Sequence, residues 1–306
     1  MYYRDNWLRW YYDDIEYGSK VDPYSKFEIK LSNVINRPIK PYYEELLENA
    51  KLIRDTFSGP LDLLFSGGVD GEVVLRTYLD LKIPINVYIF KYENNYNRRE
   101  FEHAIRICTE LNVKHTVVDF NLEKFFENEA ESIFKKVWCD VSGWLPHMKM
   151  ADYCDGTPMF GCSEPYYTRT SRDMSKKFPW VYQIEEDAKY WSSYYKSQHR
   201  SVIVDWYEYS PEVLISHLEL PLIKRLLNDD VPGKLSSFSS KAVVHQAYWN
   251  DIVIREKLVG FEGDMQPSNT ARPPFMLEFD KKVIAPYNIT STSAKYSADE
   301  VLALIT

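Results

Sequence analysis

The sequence predicts an α/β fold, a doubly wound parallel sheet with a mainly helical C-terminal part, and three observations carry it. Strand-like apolar runs and helix-period segments alternate three times between residues 61 and 137. A glycine pair, Gly67-Gly68, stands at the first strand-to-helix junction. From about Phe178 the strand signal stops recurring and helical patterns take over.

The elements follow in order. Residues 1 to about 40 are rich in Tyr, Trp and charge with weak periodicity, and read as an N-terminal arm. Pro41 opens a helix in which Leu46, Ala50, Ile53 and Phe57 recur at helical spacing, and Ser58-Gly59-Pro60 ends it. Leu61 to Phe65 is the first strand, and Glu72 to Leu81 the helix after the glycine pair. Ile85 to Phe90 is the second strand. Phe101, Ala104, Ile105, Cys108 and Leu111 mark the next helix. His115 to Phe120 is the third strand, after which Asn121 is placed to cap a helix running to about Val137. Pro158 to Phe160 adds a short strand, and Pro211 to Leu227 and Ser239 to Trp249 read as helices. These shifts suggest an arm over 1–40, an α/β domain over 41–178 and a helical part over 179–306 that completes the site.

Composition excludes several classes. The 306 residues carry 37 Lys+Arg against 45 Asp+Glu, a net charge of −8, which argues against gripping nucleic acid through its phosphates. No run reaches the ~20 apolar residues of a membrane helix, so a cytoplasmic protein is expected, and Asn288-Ile289-Thr290 is then a sequon without consequence. Cys108, Cys139, Cys154 and Cys162 lack paired metal spacing and read as reduced thiols. The six histidines are scattered, without metal-binding spacing. Asp13-Asp14 and Glu185-Glu186-Asp187 read as solvated faces. The excess is aromatic, 15% of the chain, concentrated in residues 1–17 and 180–209, which predicts a substrate pocket or an oligomer contact and a Trp fluorescence change on substrate binding.

Ser66-Gly67-Gly68-Val69-Asp70-Gly71 is the segment that points to chemistry. Ligands of parallel sheets bind at the carboxyl ends of strands, where helix N-termini offer free N–H groups to anions. The glycines let backbone approach a phosphate, Ser66 adds a hydroxyl, and Asp70 can hold a divalent cation. No lysine follows the glycines, so the loop is not of the Walker type, and Gly233-Lys234-Leu235-Ser236 fails that motif because residue 228 is Asn.

The run resembles the PP-loop, S-G-G-x-D-[S/T], of the N-type ATP pyrophosphatases, with Gly71 in place of the last hydroxyl residue. The resemblance implies ATP held by Ser66, Gly67, Gly68, Asp70 and Gly71, cleavage between its α and β phosphates, and adenylation of a substrate oxygen. Later segments are similar, in order, to the asparagine synthase synthetase domain: Gly161-Cys162-Ser163-Glu164-Pro165-Tyr166-Tyr167, Glu208-Tyr209-Ser210-Pro211, Lys241-Ala242-Val243-Val244, and Ile254 to Asp264. That likeness implies Mg²⁺ on Asp70 and Glu164, Lys241 in the nucleotide site, Lys257 stabilising charge on phosphate and Glu208 as general base on the amine.

The chain has Tyr2 after Met1, and only about 40 residues precede the synthase-like region. The glutaminase domain of glutamine-dependent asparagine synthases is therefore not expected, and ammonia or an amine is expected as nucleophile. 7-Cyano-7-deazaguanine synthases carry a four-cysteine zinc site near the C-terminus, and no Cys follows 162; the terminal catalytic cysteine segment of sulfonucleotide reductases is absent too. Arg169 and Arg172 are further candidates for phosphate or carboxylate contact.

The expectation is an AMP- and pyrophosphate-forming ligase joining a small-molecule acceptor to an amine, with no membrane or nucleic-acid partner and a possible homo-oligomer. A nucleotide-binding module without catalysis, motivated by Gly71, and a nucleobase-thiolating enzyme using Cys154 and Cys162 are the alternatives.

Overall fold

A computed structural model describes residues 3–169, 180–228, 237–253 and 272–306. The chain opens with a three-stranded antiparallel sheet, β1 (Leu8–Tyr12), β2 (Ile15–Glu16) and β3 (Phe27–Leu31), in the order β2-β1-β3. The alternating burial of β1 sends Leu8, Trp10 and Tyr12 inward, as a period-two strand with one covered face must. Helix α1 (Tyr42–Thr56) follows with Leu46, Ala50 and Ile53 buried.

The central unit is β4 (Leu61–Leu64), α2 (Val69–Asp80), β5 (Asn86–Tyr92), α3 (Arg98–Glu110), β6 (Thr116–Phe120), α4 (Leu122–Asn128), α5 (Ala130–Val137), α6 (Leu145–Met150) and β7 (Thr157–Phe160). The four strands are all parallel, in the order β6-β5-β4-β7, so the first strand lies inside the sheet with the second and fourth on either side of it. Ligands gather where the chain departs from the first strand in opposite directions. Asn121 caps α4 as expected, its Oδ1 accepting from the Lys124 N–H at 2.8 Å, but the helix breaks at Glu129.

The later part comprises β8 (Tyr167–Arg169), β9 (Trp180–Glu185), α7 (Asp187–Ser197), α8 (Pro211–Leu218), α9 (Pro221–Leu227), α10 (Ser237–Gln246), α11 (Pro274–Phe279), β10 (Ser293–Tyr296) and α12 (Ala298–Ile305). It is mainly helical, and its helices also cover an antiparallel sheet, β10-β9-β8, that periodicity did not single out. Pro221 divides the expected helix 211–227 in two, because a proline removes a helical N–H and starts a helix better than it continues one. No helix among the described residues is long and apolar enough to cross a membrane.

The aromatic clusters are mostly core. Tyr3, Trp7, Trp10, Tyr12, Tyr182, Tyr190, Tyr195, Trp206 and Tyr207 are buried against one another and the sheets, instead of lining a pocket as the sequence suggested. Several of their polar tips are served internally: Trp7 Nε1 donates to the Glu208 carbonyl at 2.8 Å and Tyr195 Oη to the His147 carbonyl at 2.7 Å.

At the head of α7, burial and then the charges of Asp140, Glu185 and Glu186 push the Asp187 carboxyl up to about 7. A folded-state value above the unfolded one means the native protein holds a proton the unfolded chain releases, so stability falls as pH rises from about 4 to 7. Asp187→Asn is therefore expected to raise the midpoint of thermal unfolding at pH 8, by on the order of 1–2 kcal/mol of stability, and to leave it near the parent value at pH 5. Equal effects at both pH values in a thermal melt would contradict this.

Candidate active site

The site is built on the turn from β4 into α2. Phe65 continues the strand, its N–H donating to the Tyr88 carbonyl at 2.9 Å. The chain then reverses at Gly67, whose φ of +78° favours glycine and where a Cβ would lie 2.7 Å from the Ala104 nitrogen of α3. Gly68 is the N-cap of α2, its N–H donating to Ser66 Oγ at 3.4 Å. The first-turn amides of Val69, Asp70 and Gly71 have no intrahelical acceptor and, with the helix dipole, form an anion seat. Tyr207 Oη donates to the Asp70 carbonyl at 2.8 Å and pins the turn from the later half.

Gly71, the residue that departs from the PP-loop pattern, has a packing reason. A Cβ there would stand 3.2 Å from the Phe65 ring. On its other side Gly161, just past β7, comes so close that a Cβ on Gly161 would be 2.6 Å from Gly71 Cα. The two glycines let the fourth strand's loop seat directly on the turn from β4 into α2.

Helix α10 supplies the cation. Lys241 Nζ lies 2.8 Å from Asp70 Oδ2 and 3.4 Å from Glu164 Oε2, and one helical turn on, His245 Nε2 lies 2.8 Å from Glu164 Oε1. Burial disfavours the Glu164 charge, but Lys241 and His245 outweigh it and hold the carboxyl below the usual range. Burial, helped by Glu164 and opposed by Lys241, pushes Asp70 up to about 6. The two carboxylates in turn hold Lys241 charged despite its burial. His245 belongs to this group although the histidines looked scattered; the Lys-x-x-x-His spacing of 241 and 245 was the available signal.

Asp70 Oδ1 is buried without a hydrogen-bond partner among the described residues, and Glu164 Oε2 makes no hydrogen bond there beyond its 3.4 Å ion pair with Lys241. They are hard oxygen donors of the kind Mg²⁺ accepts, and Mg²⁺ needs only one or two carboxylates when phosphate oxygens complete its shell. Among the described residues no group of three or more His, Cys, Asp or Glu could hold a metal alone. The pair fits a cation shared with a bound polyphosphate.

These groups open on a cavity of about 470 Å³, a size suited to a nucleotide-scale ligand. Ser66, Gly67, Gly68, Asp70, Gly71 and Lys241 line its floor, and Glu164 stands behind Lys241. Phe90, Tyr92 and Phe101 form one side, from β5 and α3; Trp144, His147, Phe160 and Trp191 form the other, from the α6 region, β7 and α7. Of the aromatic excess at 180–209, Trp191 reaches the cavity.

Glu208 is not brought there. Its carboxylate is buried in a cluster with Lys189 Nζ at 2.8 Å and Tyr182 Oη at 3.0 Å, and Lys189 also holds Asp205 at 2.8 Å and Tyr3 Oη at 2.8 Å. Burial pushes Glu208 up while Lys189 pulls it down. With its oxygens engaged and no face on the cavity, Glu208 has a structural place, not the position a base on an incoming amine needs. Lys257 and Arg172 lie outside the described residues, and Arg169 ends β8. Cys162 lines the cavity, but burial pushes its thiol well above the usual range, and Cys154 is raised to about 12, so neither is a ready thiolate.

The parallel sheet, its strand order and the glycine turn at the head of α2 make an α/β domain with a PP-loop-like turn. Residues 63–136 match the family model described as "Queuosine biosynthesis protein QueC", a family of the PP-loop ATP pyrophosphatase superfamily. No curated protein matches the chain. Among solved structures, it is similar to NMN synthetase from Francisella tularensis, with 16% identity over 40% of this chain and 54% of that one and a TM-score of 0.30. It is similar to NH3-dependent NAD synthetase from Campylobacter jejuni, with 12% identity over 81% and 93% and a TM-score of 0.34. Glutamine-dependent NAD+ synthetase from Acinetobacter baumannii shows 14% identity over 44% and 30%, TM-score 0.29. The chain thus spans about half the length of the Francisella protein.

Proposed function

We propose that the protein is an ATP-dependent, AMP- and pyrophosphate-forming ligase of asparagine-synthase-like chemistry, acting on a small molecule that carries a carboxylate or amide-like oxygen. The observation that carries this reading is the juxtaposition of the anion seat at the head of α2 with Lys241 on Asp70. A loop that only turned the chain would not need a buried ammonium aimed at its carboxylate.

The β and γ phosphates lie against the Val69–Gly71 amides and Ser66, with Lys241 facing the charge that grows on the leaving group. The acceptor oxygen attacks the α-phosphorus, the bond from that phosphorus to the β-phosphate's bridging oxygen breaks, and pyrophosphate leaves into the loop. An amine or ammonia then forms the new bond to the activated carbon, and AMP departs with the C–O bond electrons. Mg²⁺, held by Asp70 and Glu164 with phosphate oxygens, would supply charge neutralisation. The closed packing of Gly71 and Gly161 supports this reading over a module that merely lost its last hydroxyl, because the glycine serves the loop's own geometry.

The test is incubation with α-labelled ATP, Mg²⁺ and panels of acids and amines. AMP and pyrophosphate should appear with some pair, and Asp70→Ala should lower the rate by at least about a hundredfold. No AMP from any pair, together with unchanged ATP binding by Asp70→Ala, would remove the proposal.

A further inference from the structure

The loop after β7 makes a turn that its own residues do not favour. Ser163 has a φ of +64°, a left-handed conformation in which the Cβ of a non-glycine residue is crowded. The chain is constrained on either side of it. Gly161 is pressed against Gly71, and Glu164 precedes Pro165, which holds the residue before it to extended conformations. The turn at Ser163 therefore sets the direction in which Glu164 leaves the loop toward Lys241 and His245.

Asp205 holds that turn from the later half of the chain. Ser163 Oγ donates to Asp205 Oδ1 at 2.5 Å. Residues Ile203 to Asp205 run beside the end of β7: the Phe160 N–H donates to the Ile203 carbonyl at 2.8 Å, the Ile203 N–H to the Pro158 carbonyl at 2.9 Å, and Gly161 pairs with Asp205. The other carboxylate oxygen of Asp205 is fixed by Lys189 Nζ at 2.8 Å and by the Tyr3 hydroxyl, which donates to it. Lys189 is already paired with Glu208 at 2.8 Å. One buried ammonium needs one carboxylate, and a second beside it is costly unless it serves another group. For Asp205 that group is Ser163.

We propose that Asp205 is a positioning residue for Glu164: it fixes the left-handed turn at Ser163 and so places the Glu164 carboxylate on Lys241 and His245. Lys189 and Tyr3 hold Asp205 in its turn, so that Tyr3, ahead of β1, bears on the site through two successive hydrogen bonds. That the carboxylate so placed carries a cation with Asp70 rests on the ligase reading.

Two measurements on the whole protein test this. The first is the ring-nitrogen NMR resonances of His245 at fixed pH, assigned with His245→Gln, which report its hydrogen bond to Glu164 without any turnover. The second is Mn²⁺ affinity, by paramagnetic resonance, in the complex with α,β-methylene-ATP. Asp205→Asn should shift the His245 resonances in the same sense as Glu164→Gln and leave those of His147 in place. It should weaken Mn²⁺ about tenfold, as loss of the hydrogen bonds behind a metal ligand does. Because both substitutions act through one carboxylate, the double variant should bind Mn²⁺ within about twofold of Glu164→Gln alone. Should Asp205→Asn fail to fold, Ser163→Ala removes the same hydrogen bond, leaves the Lys189 cluster whole and reads the same quantities. Unmoved His245 resonances would overturn the proposal, and so would an equal change at His147, which marks general loosening. Losses of Mn²⁺ affinity that multiply in the double variant, or no loss in Asp205→Asn where Glu164→Gln shows one, would overturn it too. The ligase reading fails separately: His245 shifts in Asp205→Asn, with no effect of Glu164→Gln on Mn²⁺, leave Asp205 positioning Glu164 and remove the cation from the pair.

Discussion

Lys241→Met is expected to cost about 3 kcal/mol or more of stability at neutral pH and to abolish pyrophosphate release. The ammonium lies between Asp70 and Glu164, at 2.8 and 3.4 Å, and Glu164 is 3% exposed. Removing one partner of a buried ionic group strands the others' charge, which is far more damaging than never having built the group. In the parent, Lys241 and His245 hold the Glu164 carboxyl below its usual value, so its contribution is present above about pH 4.5 and is lost as pH falls. The variant has the opposite dependence, since two facing carboxylates without a cation share a proton and resist losing it. Urea unfolding should therefore show a gap between parent and variant that is wide at pH 7.5 and narrow near pH 4. A variant as stable as the parent at neutral pH would show that Lys241 is a solvated side chain. Lys241→Arg keeps the charge and should retain most of the stability while losing turnover, because a planar fork cannot take the point-charge position of an ammonium between two oxygens.

Gly161→Ala is the second large effect. The added methyl would stand 2.6 Å from Gly71 Cα and 2.9 Å from its nitrogen, backbone atoms that no rotamer change can remove. Either β7 or the first turn of α2 must move, and in close-packed interiors such overpacking costs about 1–3 kcal/mol. The functional cost should be larger than the loss of stability suggests, since the displaced atoms are the amides proposed to hold phosphate and a displacement of about 1 Å can cost a hundredfold in rate. Calorimetric titration with an ATP analogue, beside a thermal melt, separates the two. Unchanged nucleotide affinity would mean that the contact between Gly71 and Gly161 is incidental.

What the sequence made legible is what depends on neighbours along the chain. The three strand-helix units appear within a few residues of their expected bounds, because period-two and period-3.6 apolar patterns are local. The Asn121 cap and the turn at Gly67-Gly68 are local too. Lys241 and Glu164 were placed by the order of short motifs, and they meet Asp70 from 171 residues away in the case of Lys241. Glu208 shows where that reasoning stops. A carboxylate's place in a motif does not say whether its oxygens are free, and here Lys189 and Tyr182, neither of them marked by any pattern, have taken them. The aromatic excess misled for a related reason: composition reports how much ring surface a chain carries but not which face it turns to the solvent. The strands Trp180–Glu185 and Ser293–Tyr296 pair with each other across more than a hundred residues, and each alone is too short to announce itself.

The cluster around Lys189 sets a limit on how the protein can be made. Tyr3 donates its phenol to Asp205, 202 residues later, and the Arg4 amide reaches the Tyr209 carbonyl. During synthesis β1 can pair at once with β2 and β3, but Tyr3 and Trp7, just ahead of it, meet the Asp205 carboxylate and Glu208 carbonyl they bond only some 200 residues later. At about 5–20 residues per second that interval is tens of seconds. During it Tyr3 and Trp7 lack these partners and are open to other nascent chains. Slow expression at lowered temperature with added chaperone should accordingly improve the soluble yield of this protein more than strengthening its promoter does.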